Sequence, residues 1–341
     1  MGFFKSKVGK VVQWFLLLSL SFLFLYFAFR GVKWEDFAQG LKNCNYWWII
    51  ASMVVSIVAF VVRALRWRLA MLSISPNITG MEAYRGVTIG YLVNFALPRA
   101  GELARCGVIS ASGKASFEMV LGSVVLERSW DMLSYVVILL GILFLGNNSF
   151  GDFVTTQVWS PFVEALPFDF WWALLIIAVL GIFFLYKIYQ RREQLSKRPF
   201  FAKVFQILSG LWNGLVAGVR MKGKGKFFLW TLALWGCYWL MSLFTIKAFG
   251  DIADMNWIDA MFLMVVGSLG WIVPVQGGIG AYHFIISLAL AFIYGLPQTS
   301  GVIFATISHE SQAFTMLLCG IISAVEMAIV KRRTTTKTKN K

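Results

Sequence analysis

Long apolar stretches without charged residues recur along this chain of 341 residues. One of them, Val11–Phe29, approaches the roughly 20 residues that a helix needs to cross a bilayer. Charged residues make up 14% of the chain, against about a quarter in ordinary soluble domains. Inside a bilayer a helix satisfies its own backbone hydrogen bonds. The sequence therefore predicts an all-α polytopic membrane protein, with a single transmembrane domain over residues 1–341.

Six stretches are predicted to span the membrane fully: Val11–Phe29, Tyr46–Trp67, Glu118–Leu145, Phe170–Lys187, Phe227–Phe249 and Gly301–Val330. The first follows several lysines, as a signal peptide would. It is too long for a typical signal-peptide core and lacks a cleavage site of small residues, so we interpret it as a retained span. Two further apolar stretches, Glu82–Ser112 and Ile258–Tyr294, are each broken in the middle by Pro and Gly.

Loop charges predict the orientation, because short loops rich in Lys and Arg stay in the cytoplasm. Basic residues concentrate in the N-terminal segment, Arg63–Arg68, Lys187–Lys226 and the tail after Val330. The acidic loops Gly146–Asp169 and Lys247–Trp257 are expected outside. Both termini are therefore predicted to be cytoplasmic, in a multi-pass protein of the cell (inner) membrane. Each broken stretch then begins and ends on one side, which predicts two re-entrant hairpins that enter from opposite faces.

The two broken stretches share the pattern P-x-x-G, at Pro98–Gly101 and at Pro274–Gly277. A span–hairpin–span unit over residues 46–145 would then recur upside down at residues 227–330. Inverted repeats with broken helices near the midplane are typical of secondary transporters. Because P-x-x-G is short, the matched topology carries more weight than the motif. The alternative is that the hairpin arms cross the membrane fully.

Residues 190–226 mix basic residues with apolar residues at helical spacing. This pattern predicts an amphipathic helix on the cytoplasmic surface that binds anionic lipid headgroups, and the alternative is a solvated linker. A segment resembling a phosphate-binding loop ends at Lys224, but Gly225 stands where Ser or Thr should ligate magnesium, so no nucleotide site is predicted. The net charge of +15 fits cytoplasmic loops and anionic lipid better than nucleic acid.

Ionisable residues inside apolar stretches are the candidate site residues, because a charge at mid-bilayer costs about 2.5–3.5 kcal/mol. Arg99, Glu102 and Arg105 are spaced i, i+3, i+6, which puts them on one face of a helix that begins after Pro98. Their net positive charge and the free N–H groups of a helix start suit an anion. The structural alternative is that Glu102 only neutralises the two arginines.

A second cluster, Glu127, Arg128 and Asp131, lies within the third predicted span and carries a net negative charge. A cation from the first hairpin tip, Arg99 or Arg105, is its expected partner, so we predict that the two clusters meet. By contrast, Arg63, Arg66 and Arg68 lie near the inner end of the second span. We interpret them as positive-inside anchors, with capture of a lipid phosphate as the alternative.

A third cluster contains His309 and Glu310 in the last span. It is predicted to face the second hairpin tip, which includes Gln276, Gly277, Gly278 and His283. One of these groups could carry a proton, although a membrane histidine is more often a hydrogen-bonded helix contact. The four cysteines are far apart and lack C-x-x-C spacing, so the sequence predicts neither a disulfide framework nor a metal site, and no cofactor.

The run Asn94-Phe-Ala-Leu-Pro98-Arg99-Ala-Gly101-Glu102-Leu-Ala-Arg105, followed by Glu127-Arg128-Ser-Trp-Asp131, resembles the flippase-like membrane domain of the lysylphosphatidylglycerol synthases. Pro274-Val-Gln-Gly277-Gly278-Ile-Gly280 is similar to the family's second motif. The resemblance implies a polytopic protein that moves a lipid headgroup between leaflets. It places a set of charged residues at the substrate together with Asn94: Arg99, Glu102, Arg105, Glu127, Arg128 and Asp131.

The sequence departs from the family pattern in two ways that bear on its expected function. The chain stops soon after its last predicted span, so we expect a stand-alone member without the soluble aminoacyl-transferase domain. Many relatives carry an acidic residue after the second glycine motif, where this chain has His283. This difference leaves open the identity of the transported lipid and of any coupling ion.

The leading hypothesis is a flippase or scramblase for an anionic or glycosylated lipid, either a phospholipid or a polyprenyl-linked lipid. The alternative is a membrane-embedded transferase or phosphatase, ranked lower because no credible catalytic set is visible in the sequence. The third hypothesis is an assembly scaffold or a membrane receptor. The oligomeric state is open, and a homodimer is compatible with the sequence.

Overall fold

The structure, a computed structural model, describes residues 7–146, 148–165, 168–190, 199–252 and 254–339, and no strand occurs in these ranges. The α-helices are α1 (Lys7–Phe29), α2 (Trp34–Lys42), α3 (Tyr46–Met71), α4 (Gly80–Ala96), α5 (Gly101–Ser110), α6 (Phe117–Leu145), α7 (Asn148–Phe153), α8 (Ser160–Glu164), α9 (Phe168–Gln190), α10 (Pro199–Val219), α11 (Lys224–Lys247), α12 (Trp257–Ile272), α13 (Ala281–Tyr294) and α14 (Gln298–Lys339). A π-helix, Val154–Trp159, joins α7 to α8, and short 3-10 turns cover Gly250–Ile252 and Gln276–Gly278.

Within the described residues, five helical segments are long and apolar enough to cross a membrane: Tyr46–Met71, Phe117–Leu145, Lys224–Lys247, Gln276–Tyr294 and Gln298–Val330. Four of them coincide with predicted spans, and α1 and α9 lie at the other two predicted spans. The fifth is the second arm of the second broken stretch. The prediction of an all-α polytopic membrane protein is confirmed.

Helices α3 and α11 form an antiparallel pair through the centre of the bundle. The backbone N–H of Asn45 donates to the carbonyl of Ala248 at 2.9 Å, and Ser52 Oγ donates to the carbonyl of Met241 at 3.2 Å. We call the end that holds Asn45 and Ala248 the upper end. The opposite end, where α3 finishes at Met71 and α11 begins, is the lower end.

The first broken stretch, α4 and α5, forms a hairpin whose two ends meet at the lower end. Lys114, just after α5, donates to the carbonyl of Asn77 at 2.9 Å and to Glu82 at 2.8 Å, at the start of α4. Ile78 packs with Met71 in a buried apolar cluster. Helix α5 is only about 15 Å long at 1.5 Å per residue, roughly half of the hydrocarbon thickness of a bilayer.

The second broken stretch, α12 and α13, forms a hairpin with its base at the upper end. Tyr294, the last residue of α13, donates its hydroxyl to Asp259 in the first turn of α12 at 2.7 Å. The turn between the arms contains Gly277, Gly278 and Gly280, all with positive φ, a region that glycine enters at low cost. The helix break predicted at this glycine motif is confirmed, because α13 begins directly after Gly280.

The tips of the two hairpins touch. The guanidinium of Arg99 donates to the carbonyl of Ile272 at the end of α12. The ring of Phe95 packs so closely on Gly277 that a Cβ there would lie 2.6 Å from a ring carbon. The two tips therefore meet, and the hairpins reach this contact from opposite ends of the bundle.

Residues 199–219 of the basic linker form helix α10, which packs along the beginning of α6. A Cβ at Gly210 would lie 2.8 Å from Cβ of Glu118, and Gly214 lies against the carbonyl of Met119. The helical part of the interpretation is therefore supported, and α10 is fastened to the bundle. Its position in the headgroup layer stays a prediction, and residues 191–198 lie outside the described residues.

Close backbone contact holds the arms of the first hairpin together, and Gly101→Ala tests it. A Cβ at Gly101 would collide with the carbonyl oxygen of Gly90 and with the Asn94 side chain. Overpacking of this kind costs about 1–3 kcal/mol, so the unfolding midpoint in detergent should fall clearly. Gly107→Ala, in the same helix with open space around it, should leave the midpoint unchanged or raise it. Equal midpoints for the two variants would contradict the close contact.

Candidate functional site

An ion cluster lies beside the tip of the first hairpin, inside an otherwise apolar bundle. It contains four arginines and three carboxylates from three helices: Arg63 and Arg66 of α3, Glu102 and Arg105 of α5, and Glu127, Arg128 and Asp131 of α6. With every group ionised, its formal charge is +1. Arginine suits such a site because its planar fork donates several hydrogen bonds in fixed directions.

Glu127 is the centre of the ion cluster and is fully buried. Its Oε1 lies 3.0 Å from Arg63 Nε and accepts from Arg66 Nη2 at 3.1 Å, and its Oε2 lies 2.5 Å from Arg105 Nη2. One carboxylate thus joins guanidinium groups from two helices to a third helix. A buried charge is tolerated when it is paired in this way.

The other buried partners extend the ion cluster across the bundle. Arg66 donates to Asp131 at 2.6 Å, and Arg63 donates to the hydroxyl of Tyr91 at 2.9 Å and to that of Tyr238 at 3.4 Å. These contacts bring α4 and α11 to the same centre. Arg105 also stacks 4.4 Å above the ring of Trp67, a favourable cation–π geometry.

Arg128 and Glu102 form the open edge of the ion cluster. The side chain of Arg128 is 43% exposed and that of Glu102 is 32% exposed, whereas Arg66 and Glu127 are inaccessible. Arg128 is also held loosely, at 3.3 Å from Glu102 and 3.6 Å from Asp131. A small cleft opens here, lined by Arg63, Val87, Gly90, Tyr91, Asn94, Gly101, Glu102, Arg105 and Arg128. We call it the tip cleft.

The predicted meeting of the two charged clusters is confirmed through Arg105, which pairs with Glu127. The prediction that Arg99 shares a helical face with Glu102 and Arg105 is wrong. Helix α5 begins at Gly101, and Arg99 precedes it in the left-handed region with a φ of 65°. The exposed Arg99 side chain therefore points to the other hairpin, at the carbonyl of Ile272.

Two predictions about neighbouring residues are also corrected. Arg63 and Arg66 are not anchors at the membrane edge, because both are buried and paired with Glu127 and Asp131. Asn94 accepts the backbone N–H of Gly101 at 2.7 Å. It therefore uses one of the free donors that the start of α5 was expected to offer to an anion. Tyr91 and Tyr238 join the site without any signal in the sequence.

A second polar cluster lies at the tip of the other hairpin. His309 Nε2 is 2.8 Å from the carbonyl oxygen of Gly277, and its Nδ1 is 2.9 Å from Glu310 Oε1. His283 Nε2 lies 3.9 Å from the same carboxylate oxygen. Both histidines are buried, and Trp271 stacks on His309 with ring centres 5.0 Å apart. The predicted contact between the last span and this tip is confirmed.

Two other predicted residues of the second tip have structural contacts. Gln276 accepts from the hydroxyl of Ser21 in α1 at 3.5 Å, and Gly278 packs beside the ring of Trp271. None of the second-tip residues lines the tip cleft. The structure thus separates the predicted binding residues into two sites joined by the contact between the tips.

Comparison with known families identifies the chain. The family model described as the lysylphosphatidylglycerol synthase TM region matches residues 14–320. The chain belongs to this family. The match includes both hairpins, the ion cluster and the His283–His309–Glu310 group of this family member. Neither the curated proteins nor the solved structures contain a significant match. The family makes this a lipid-related membrane protein.

Proposed function

We propose that this protein moves the headgroup of an anionic or glycosylated lipid from one leaflet to the other through the tip cleft. The observation that carries the proposal is the open edge of an ion cluster with a formal charge of +1, at the point where two broken helical hairpins meet. Ionised groups inside a membrane are expensive, and they mark transport pathways more often than scaffolds. A phosphate is the complementary charge for a cluster with a formal charge of +1.

The proposed orientation puts the lower end in the cytoplasm and the upper end outside. Helix α11, which follows the basic linker in the sequence, begins at the lower end, and this agrees with the positive-inside rule. Both termini would then be cytoplasmic in the cell (inner) membrane. The two hairpins would be re-entrant and would form an inverted repeat with their tips at the midplane. Such midplane breaks are where secondary transporters bind their substrates.

The exposure of the arginines divides their proposed roles. Arg128, at the open edge, would hold the phosphate of the headgroup. Arg99 does not line the tip cleft and would turn from the carbonyl of Ile272 to contact the headgroup. Arg63, Arg66 and Arg105 are committed to carboxylates and would hold the site open and rigid. The acyl tails would stay in the bilayer. The substrate would be a phospholipid or a polyprenyl-linked lipid.

Reconstituted vesicles test the proposal. The purified protein is placed in liposomes with its co-purifying lipids, identified by mass spectrometry, and a headgroup-labelled analogue is followed by quenching from outside. We expect labelled lipid to exchange between leaflets faster than in protein-free vesicles, with its mass unchanged. Exchange no faster than in protein-free vesicles would contradict a flippase. A changed mass would point instead to a membrane-embedded transferase or phosphatase.

A further inference from the structure

We propose that His283, His309 and Glu310 hold one divalent metal ion of the zinc class at the second hairpin tip. One ligand atom from each residue lies within 4.8 Å of the others, although His283 belongs to α13 and the other two to α14. Two imidazole nitrogens and one carboxylate oxygen are a ligand set that zinc uses, with a fourth position left for water. Imidazole ligands favour zinc, copper, iron or nickel over magnesium and calcium.

The hydrogen bonds of His309 leave a gap that a cation would fill. A carbonyl oxygen only accepts, so Nε2, which faces the carbonyl of Gly277, carries the hydrogen. In neutral histidine Nδ1 is then an acceptor, yet it lies 2.9 Å from another acceptor, Glu310 Oε1. A shared cation removes this repulsion, either a proton on Nδ1 or a metal ion bound by both atoms. An imidazole that donates its other nitrogen to a carbonyl is also the usual arrangement around a bound metal.

His283 supplies the third ligand from the facing helix. Its side chain is 3% exposed, and its Nδ1 is buried without a hydrogen-bond partner. Its Nε2 is 3.9 Å from Glu310 Oε1, which is too long for a hydrogen bond. Bonds of 2.0–2.1 Å to a tetrahedral zinc ion would separate the ligand atoms by about 3.3 Å. The ligand atoms now lie within 4.8 Å of one another, so closing the widest pair by at most about 1.5 Å would complete the site.

The surroundings allow an ion to enter while they hold the ligands in place. The side chain of Glu310 is 55% exposed, so one edge of the cluster is open. Stacking on Trp271 and the bond to Gly277 fix the ring of His309. A metal ion bound here would fasten α14 to both the turn and the second arm of the hairpin. It would thereby set the shape of the tip that meets the first hairpin.

Cobalt titration tests the proposal on the purified full chain without a histidine tag. Tetrahedral Co²⁺ absorbs visible light strongly, and the chain has only two histidines, so imidazole bound to the metal must come from this site. We expect saturation at one equivalent of Co²⁺ and displacement by Zn²⁺. Binding is measured without added lipid, so its outcome is independent of the transport proposal.

Variants separate this site from adventitious binding. His283→Gln and Glu310→Gln should each raise the Kd for Co²⁺ at least tenfold. Glu326→Gln is the matched control, because Glu326 lies on the same helix and pairs with Arg85, away from the cluster. Matching thermal unfolding of the metal-free wild type and variants shows that the fold is kept. If His283→Gln misfolds, Glu310→Gln alone is compared with the wild type. Absence of stoichiometric binding to the folded wild type, or equal binding by its variants, would overturn the proposal.

Discussion

Glu127→Gln is expected to lower the free energy of unfolding by about 3–5 kcal/mol, the usual cost of removing one partner from a buried ion pair. The substitution keeps the size of the side chain and removes only its charge. Arg63, Arg66 and Arg105 would then face one another around a neutral amide, all of them buried. The unfolding midpoint in detergent and the yield of monodisperse protein measure the effect.

Glu35→Gln is the matched control, because Glu35 is an exposed glutamate in the first turn of α2. Surface substitutions of this kind usually change stability by less than about 0.5 kcal/mol. If Glu127→Gln unfolds at the same temperature as Glu35→Gln, Glu127 is not the electrostatic centre of the bundle. The description of the ion cluster would then be wrong.

Arg99→Gly is expected to slow lipid translocation about tenfold to hundredfold while the protein still folds. A charge-assisted hydrogen bond contributes about 1.5–3 kcal/mol, and each 1.4 kcal/mol is a factor of ten. Arg99 adopts a φ of 65°, which costs a side-chain-bearing residue about 1 kcal/mol or more and costs glycine little. Glycine therefore removes the guanidinium and relieves the backbone at once. The measurement is the rate of leaflet exchange in vesicles.

Two further variants make that result specific. Arg99→Ala also removes the guanidinium but keeps the strained turn, so it should lose transport and unfold at a lower temperature than Arg99→Gly. Arg30→Ala removes an exposed arginine distant in sequence from both tips and should transport normally. Transport at the wild-type rate by well-folded Arg99→Gly would remove Arg99 from the pathway.

The helices and the breaks in the hairpins were predictable because membrane insertion follows simple rules. Apolar length gives the helices, and Pro98 and Pro274 with the following glycines give the breaks. The side of the membrane on which each stretch begins stays a prediction from loop charge. The structure places the hairpin bases at opposite ends and brings the tips together. These features depend on local composition, so a single sequence contains them.

The partners inside the ion cluster were only partly predictable. Arg99 or Arg105 was expected to neutralise the Glu127 cluster, and Arg105 does so, whereas Arg63 and Arg66 were assigned to the membrane edge. Arginine near the end of a span has the same appearance whether it faces headgroups or a buried carboxylate. The excess negative charge of Glu127 and Asp131 was the signal that further cations were needed. Their distance along the chain from α3 hid which arginines would supply them.

The His283–His309–Glu310 group shows a second limit of prediction from a single sequence. Metal sites are recognised in a sequence by short spacings between ligands, and His283 is far along the chain from His309 and Glu310. The short connection after Tyr294 lays α14 back along α13 and closes that gap. The packing of α14 on α13, with Tyr282 hydrogen-bonded to Ser308 and Gly301 against Ser287, creates the juxtaposition. The spacing of the ligands therefore gave no metal prediction.

The passage of a headgroup through the tip cleft is tested most directly by an electron cryomicroscopy map of the protein in nanodiscs made with its co-purifying lipid. We expect headgroup density in the cleft, with a phosphate within hydrogen-bonding distance of Arg128 and beside Asn94. The map must resolve these side chains and come from a preparation that is active in translocation. If it then shows an empty cleft and headgroups crossing elsewhere, passage through the tip cleft is contradicted.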